Sequence, residues 1–257
     1  MASRYGDKTT MADGVRLVDH LALSVISKVN DGPGRHRNRR LEVGTRILLS
    51  AILEDSVFDQ EQMKHDLEAF RISPADIIDY CIPYAAEKLG EDWVNDRLSF
   101  AKVTICSARL YGLCKLVGHE WDGVRAHPTA LNIVIATIRR EDHIIGPAVL
   151  TEKLRRRGHS VRILHNTTAS EIAKVLSEDH FDGVFITASS LTTLDYAKKA
   201  INTLRKQNVA EPLILGGAAL NATEDRLKDT GADLVTNDID TAIDALTASD
   251  SSLKVAE

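Results

Sequence analysis

Two kinds of periodicity divide the chain near residue 120. Before it, apolar residues recur at three- and four-residue steps: Val15, Val18, Leu21, Ala22, Val25, Ile26 and Val29, then Val43, Ile47, Leu48, Ala51 and Ile52. Each stripe covers one face of an amphipathic helix, which predicts a helix near 13–30 and a series of helices from Leu41 to Gly118. Ser73-Pro-Ala-Asp76 reads as an N-cap with proline at the first helical position. It opens a helix toward Leu89-Gly90 that Pro83 must kink or divide. The last helix follows Trp93, carries Phe100, Val103, Ser107 and Leu110 on roughly one face, and ends between Leu113 and Val117. Four or so such helices make a small bundle. Asp31-Gly-Pro-Gly34 breaks the chain ahead of it, and the basic run Arg35-His-Arg-Asn-Arg-Arg40 is expected to be a solvated linker.

Beyond the Gly- and Pro-bearing connector Glu120–Thr129 the period changes. Apolar, β-branched runs at 131–138, 160–164, 183–188, 212–216 and 232–236 alternate with helical patterns at 145–157, 168–178, 192–206, 221–230 and 239–247. Thr168-Ala-Ser-Glu171 is a capping box for the second of these helices. Continuous buried strands joined by amphipathic helices predict a doubly wound parallel sheet, with a ligand crevice at the carboxyl ends of its strands. Three segments result: an N-terminal helix and basic linker (1–40), a helical bundle (41–120) and an α/β domain (130–247).

Composition narrows the classes. The chain has 257 residues, 44% hydrophobic and 27% charged, as an ordinary globular protein does. No apolar run approaches the ~18 residues that span a bilayer, and no signal core follows the N-terminus, so a cytoplasmic location without membrane association is expected. Cys81, Cys106 and Cys114 lack Cys-x-x-Cys spacing and fall in helical patterns, which points to buried apolar roles rather than a zinc site. A formal net charge of -5 argues against a protein that wraps nucleic acid, so direct DNA contact is only weakly supported.

The candidate chemistry lies where the first strand ends, in Ile133-Val-Ile-Ala-Thr-Ile-Arg-Arg-Glu-Asp-His-Ile-Ile-Gly146. An imidazole there can point one nitrogen into the crevice toward a metal while the other donates to a nearby carboxylate. The spacing Glu141-x-His143-x-x-Gly146 resembles the Asp-x-His-x-x-Gly signature of cobalamin-binding modules. Two further elements follow in order: a hydroxyl-rich loop after the strand Gly183-Val-Phe-Ile-Thr187, and Gly216-Gly217 closing the strand Pro212-Leu-Ile-Leu-Gly216. The modules carry Ser-x-Leu and Gly-Gly at these places. In one register Thr187-Ala188-Ser189 takes the Ser-x-Leu place, with 40 residues before it (147–186) and 26 after it (190–215). In the other, Ser189-Ser190-Leu191 matches the letters but shifts the gaps to 42 and 24. Thr187 is preferred as the hydroxyl near the nucleotide base, and Ser189 comes second.

With the run from Glu141 to Gly158, including Arg155-Arg-Arg157, the chain is similar to the PpaA/AerR group of bacterial photosynthesis regulators. The resemblance implies that His143 replaces the dimethylbenzimidazole beneath cobalt and that the displaced nucleotide tail enters a slot bordered by Gly146, Gly216 and Gly217. Glu141, with Asp142 beside it, stands where the family has Asp; its extra methylene predicts a longer or water-mediated bond to His143. The bundle resembles the helical cap over the upper corrin face, where Trp93 would sit. Positions 103 and 104, Glu and His in repressor-type B12 photoreceptors, are Val103 and Thr104 here. That favours hydroxo- or aquocobalamin over the larger adenosyl form. The implied function is an antirepressor, responsive to light or redox state, acting on a transcription factor that represses photosynthesis genes. The resemblance does not imply an enzyme. The alternatives are a corrinoid carrier subunit of a methyltransferase system and a haem sensor on the same scaffold.

Overall fold

The computed structural model describes residues 35–121, 129–221, 227 and 229–253. The helix expected over 13–30 lies outside these residues, as does most of that expected over 221–230. Two compact units emerge. Among the described residues, one comprises 35–121 with 148–156, and the other 129–147 with those from 157 to 253.

In the helical unit, α1 (Arg35–Leu53), α2 (Gln60–Ala69), the short α3 (Pro74–Asp76), α4 (Ile82–Val94) and α5 (Phe100–Gly118) follow in order. The basic run is thus not a linker but the start of α1. Arg37 donates to Asp76 at 2.6 Å and its guanidinium lies over the Tyr80 ring, so a partner 39 residues away fixes what local composition left as solvated coil. The helical run that contains Pro83 is interrupted just ahead of it. A π-helical turn, Ile77–Cys81, joins α3 to α4, and the Ile82 N–H reaches back to the Ile77 carbonyl. The wider turn absorbs the misfit around the missing proline donor. Asp59, Ser73 and Ser99 cap their helices through side-chain oxygens. Leu48, Ile52, Leu67, Ile77, Ile82, Leu110 and Leu113 form a dry core, and Cys81, Cys106 and Cys114 are wholly buried in it. Residues 148–156 cluster with this unit. There Glu152, almost fully buried, takes Lys115 Nζ at 2.6 Å, and Arg156 pairs with Asp79 at 2.7 Å while stacking on Trp121.

The second unit is the expected doubly wound sheet. It contains β1 (Asn132–Ile138), the start of α6 (Ile145–Arg156), β2 (Ser160–Thr167), α7 (Ala169–Glu178), β3 (Gly183–Thr187), α8 (Leu191–Lys206), β4 (Leu213–Gly216), β5 (Leu234–Val235) and α9 (Ile239–Leu253). All pairings are parallel, in the order β2-β1-β3-β4-β5. The strand order reverses at β1, which lies between β2 and β3, and the carboxyl ends of β1 and β3 are where open α/β sheets hold their ligands. β1 is buried from Ile133 to Ile138, since helices cover both faces. Val134, Ala136, Ile172, Val184, Ile186, Leu194, Leu213 and Leu215 pack one of those faces. No helix among the described residues is long and apolar enough to cross a membrane.

Candidate functional site

The turn after β1 is held from both sides. Arg140 adopts a left-handed conformation (φ 76°), as does Asn166 near the end of β2 (φ 52°). The Arg140 N–H donates to Asn166 Oδ1, and the Asn166 N–H donates to the buried Thr137 hydroxyl. The Arg140 guanidinium donates to the Tyr196 hydroxyl at 2.8 Å and lies over that ring. Such strained backbone persists only where its surroundings over-determine it, and here it aims the three residues that follow.

Glu141 is the centre of the arrangement, with 5% exposure. Its Oε1 accepts from the His143 backbone N–H at 3.1 Å, and lies 2.7 Å from His143 Nδ1. Ser189 at the exit of β3 completes the set. Its N–H donates to Glu141 Oε2 at 2.8 Å, and its hydroxyl lies 2.8 Å from both Glu141 Oε1 and His143 Nδ1. A carboxylate is acceptor-only, so the hydroxyl and Nδ1 both point their hydrogens at it. The proton is thereby fixed on Nδ1, which leaves the Nε2 lone pair available to a metal. The bond expected to be long or water-mediated is direct and short. Ile138 and Glu141 close a backbone turn at 2.9 Å, which draws the longer side chain back toward the imidazole.

Burial alone would lift Glu141, but the bonds and charge from His143 and the bonds from Ser189 outweigh it and hold the carboxyl below its usual value. Burial likewise opposes the charged imidazole, yet the Glu141 bond and charge raise His143 above an ordinary histidine. The signs define a window for the apoprotein. A raised imidazole contributes stability below about 6.5 that is lost as pH climbs through the folded value. A lowered carboxyl contributes stability above about 4.3 that is lost as pH falls through the folded value. Urea midpoints of wild type and Glu141→Gln should therefore differ more at pH 6 than at pH 9. A pH-independent difference would remove the charge component from this pair.

The other expected residues do not all gather at this turn. Asp142 is exposed and adds negative potential near His143. Gly146, in the first turn of α6, is exposed, and a Cβ built there meets nothing within 4 Å, so it opens onto free space. Thr187 pairs in register with Gly216, and its buried hydroxyl has no hydrogen-bond partner among the described residues. Ser189 is committed to Glu141 and His143, which separates it from the role of Thr187. Leu191 starts α8 and packs against the core rather than standing in the crevice. Gly217 has φ 109°, and a Cβ there would fall 2.2 Å from the Ala188 carbonyl oxygen. At Gly216 a Cβ would lie 3.1 Å from the Thr236 carbonyl oxygen, so a branched side chain there would also press on the end of β5. Trp93 belongs to the helical unit, half-buried, with its ring 6.2 Å from that of the exposed Phe100. Thr104 spends its hydroxyl on the Phe100 carbonyl oxygen at 2.9 Å, and Val103 has no donor atom. Asn237, which no sequence pattern singled out, binds both the N–H and the carbonyl of Gly217.

These residues fit a group with one soft-to-borderline metal and a long polar tail. They offer an oriented imidazole nitrogen, a buried hydroxyl lacking a partner, open space at Gly146 and a wall without side chains at 216–217.

Comparison with known proteins agrees. The model of the B12 binding domain matches residues 131–247. An uncharacterised 20.5 kDa protein from the bchF-crtJ intergenic region of Rhodobacter capsulatus is 32% identical over 194 residues, 74% of this chain and 96% of that protein. Among solved structures, the Methanosarcina barkeri monomethylamine corrinoid protein superposes with a TM-score of 0.59 at 16% identity, covering 78% of this chain and 96% of that one. It shares a fold with this chain: a helical region followed by a parallel α/β domain. From the matched domain, the relative that it spans almost end to end and the fitted site, the chain belongs to the family of B12-binding-domain proteins and binds cobalamin.

Proposed function

We propose that the protein is a cobalamin-dependent regulator, responsive to light or redox state, that relieves a photosynthesis-gene repressor by binding it and turns over no substrate. The observation that carries this is the oriented His143 with its buried carboxylate, together with a relative encoded between bchF and crtJ. When bound, cobalamin supplies a cobalt whose upper ligand is light-sensitive and whose oxidation state can change. The chain's own residues do the holding. His143 would offer Nε2 to the cobalt, Glu141 and Ser189 keep the proton on Nδ1, and Thr187 would offer its unpaired hydroxyl to the nucleotide. In the helical unit Trp93 and Phe100 give an aromatic surface, and Val103 and Thr104 supply no cobalt ligand.

Thr187→Val separates binding from folding. An unsatisfied buried hydroxyl destabilises, so its near-isosteric removal should raise apoprotein stability by about 1 kcal/mol while cobalamin retention through gel filtration falls. Lower stability with unchanged retention would mean that the hydroxyl serves the fold.

A signal changes partner affinity only if the partner distinguishes the two states. Protein loaded with adenosyl- or hydroxocobalamin, in dark and light, should bind the repressor with different affinities. Equal affinity in every state overturns the regulator, and methyl transfer to a thiol acceptor would return the corrinoid-carrier alternative.

A further inference from the structure

β5 is only two residues long, and its ladder with β4 ends where the Thr236 N–H meets the Leu215 carbonyl at 3.0 Å. The next bonds in that direction come from a side chain. Asn237 Oδ1 accepts the Gly217 N–H at 2.7 Å, and its Nδ2 donates to the Gly217 carbonyl at 3.2 Å. A carboxamide has the donor and acceptor of a peptide unit, so Asn237 extends the sheet by one rung that the backbone does not form. The rung falls on the residue with the most constrained placement in the crevice. Gly217, at φ 109°, is pressed on its other side against Ala188, whose N–H and carbonyl bind Gly216 and Ala219. Across the register from Gly216 stands Thr187 with its unpaired hydroxyl.

We propose that Asn237 is a positioning residue for the nucleotide end of cobalamin, clamping the Gly216-Gly217 turn so that it forms a fixed wall of the slot. This rests on the cobalamin reading of the crevice. The fold does not depend on the clamp. Asn237 is exposed, and the loop around it is tied independently by the Asp238 N–H to Thr236 Oγ1 at 3.0 Å and the Thr241 N–H to Asp238 Oδ1 at 2.7 Å. An aspartate at 237 keeps the acceptor but has no N–H, and sets a second oxygen against the Gly217 carbonyl.

The test compares two corrinoids on the full chain: hydroxocobalamin, and cobinamide, which has the corrin ring without the nucleotide. Asn237→Ala should weaken cobalamin roughly tenfold, because a turn no longer held in the free protein must be fixed when the nucleotide enters, and change cobinamide by less than about twofold. Asn237→Asp should fall in the same direction, and both variants should keep the wild-type urea midpoint. Equal losses for both corrinoids, no loss for either, or loss of cooperative unfolding in both variants would overturn the role of Asn237. Failure of the wild type to bind either corrinoid would instead overturn the cobalamin reading beneath it.

Discussion

Replacing His143 with alanine should abolish protein-nitrogen coordination of cobalt and weaken cobalamin binding by more than roughly 10–100-fold, the cost of losing a group that merely orients a ligand. The argument is geometric. Nδ1 is tied to Glu141 Oε1 at 2.7 Å and to Ser189 Oγ at 2.8 Å, so only Nε2 can reach a metal, and nothing else in the turn replaces it. Among the described residues there is no group of three or more His, Cys, Asp or Glu side chains poised to take over. The side chain is 53% exposed, so its removal leaves no core cavity, and the apoprotein should still unfold cooperatively, at a urea concentration lowered by the loss of the imidazole's support for the Glu141 carboxylate. Protein grown with 15N-labelled histidine and loaded with reduced cobalamin gives the readout. The paramagnetic spectrum should carry a 15N splitting in wild type and none in the variant, and added imidazole should restore a nitrogen splitting. An unchanged spectrum in the alanine variant would remove His143 as the lower ligand.

The second large effect is expected at Gly217. A φ of 109° is barely accessible to a residue with a side chain, and a Cβ would stand 2.2 Å from the Ala188 carbonyl oxygen and 2.9 Å from its nitrogen. Both obstacles are backbone, so neither can swing aside. Gly217→Ala should cost roughly 2–4 kcal/mol of stability, combining torsional strain with a displaced β3 exit. Cobalamin uptake should fall with it, because Thr187 and Ser189 lie on the segment that must move. Gly146→Ala is the contrast. Its Cβ has open space and a helical backbone, so the apoprotein should gain up to about 1 kcal/mol while cobalamin binds less well. If Gly217→Ala unfolds at the wild-type urea concentration, the constraint is wrong. If Gly146→Ala binds cobalamin as tightly as wild type, the tail does not pass there.

What could be read in advance follows from how far each determinant reaches along the chain. The alternation of strand and helix, and the placing of His143, Thr187 and Gly216 at strand ends, are local periodicity, and the sheet has them there. The division of labour between Thr187 and Ser189 was not legible. It depends on a carboxylate 48 residues from Ser189, which the spacings that put Thr187 ahead of Ser189 do not contain. Asn237 was invisible for the same reason, since its partner lies 20 residues earlier and nothing in Thr-Asn-Asp marks a side chain that completes a ladder. The extra methylene of Glu141 misled by treating side-chain length as reach, when the turn folds the carboxylate back. Arg37 misled by composition, because its helix is held by Asp76 from a segment with no local trace in the basic run.

The three thiols have a practical consequence for experiments on signal. Burial pushes Cys81 up to about 11 and Cys114 up to about 12, and raises Cys106 as well, so none forms a thiolate near neutrality. These are all the cysteines of the chain. Peroxide, alkylating reagents and thiol buffers therefore find no ready thiolate on the folded polypeptide. A potentiometric titration can be run across a wide range without disulfide chemistry entering the curve, and any midpoint it yields belongs to the bound corrin rather than to sulfur.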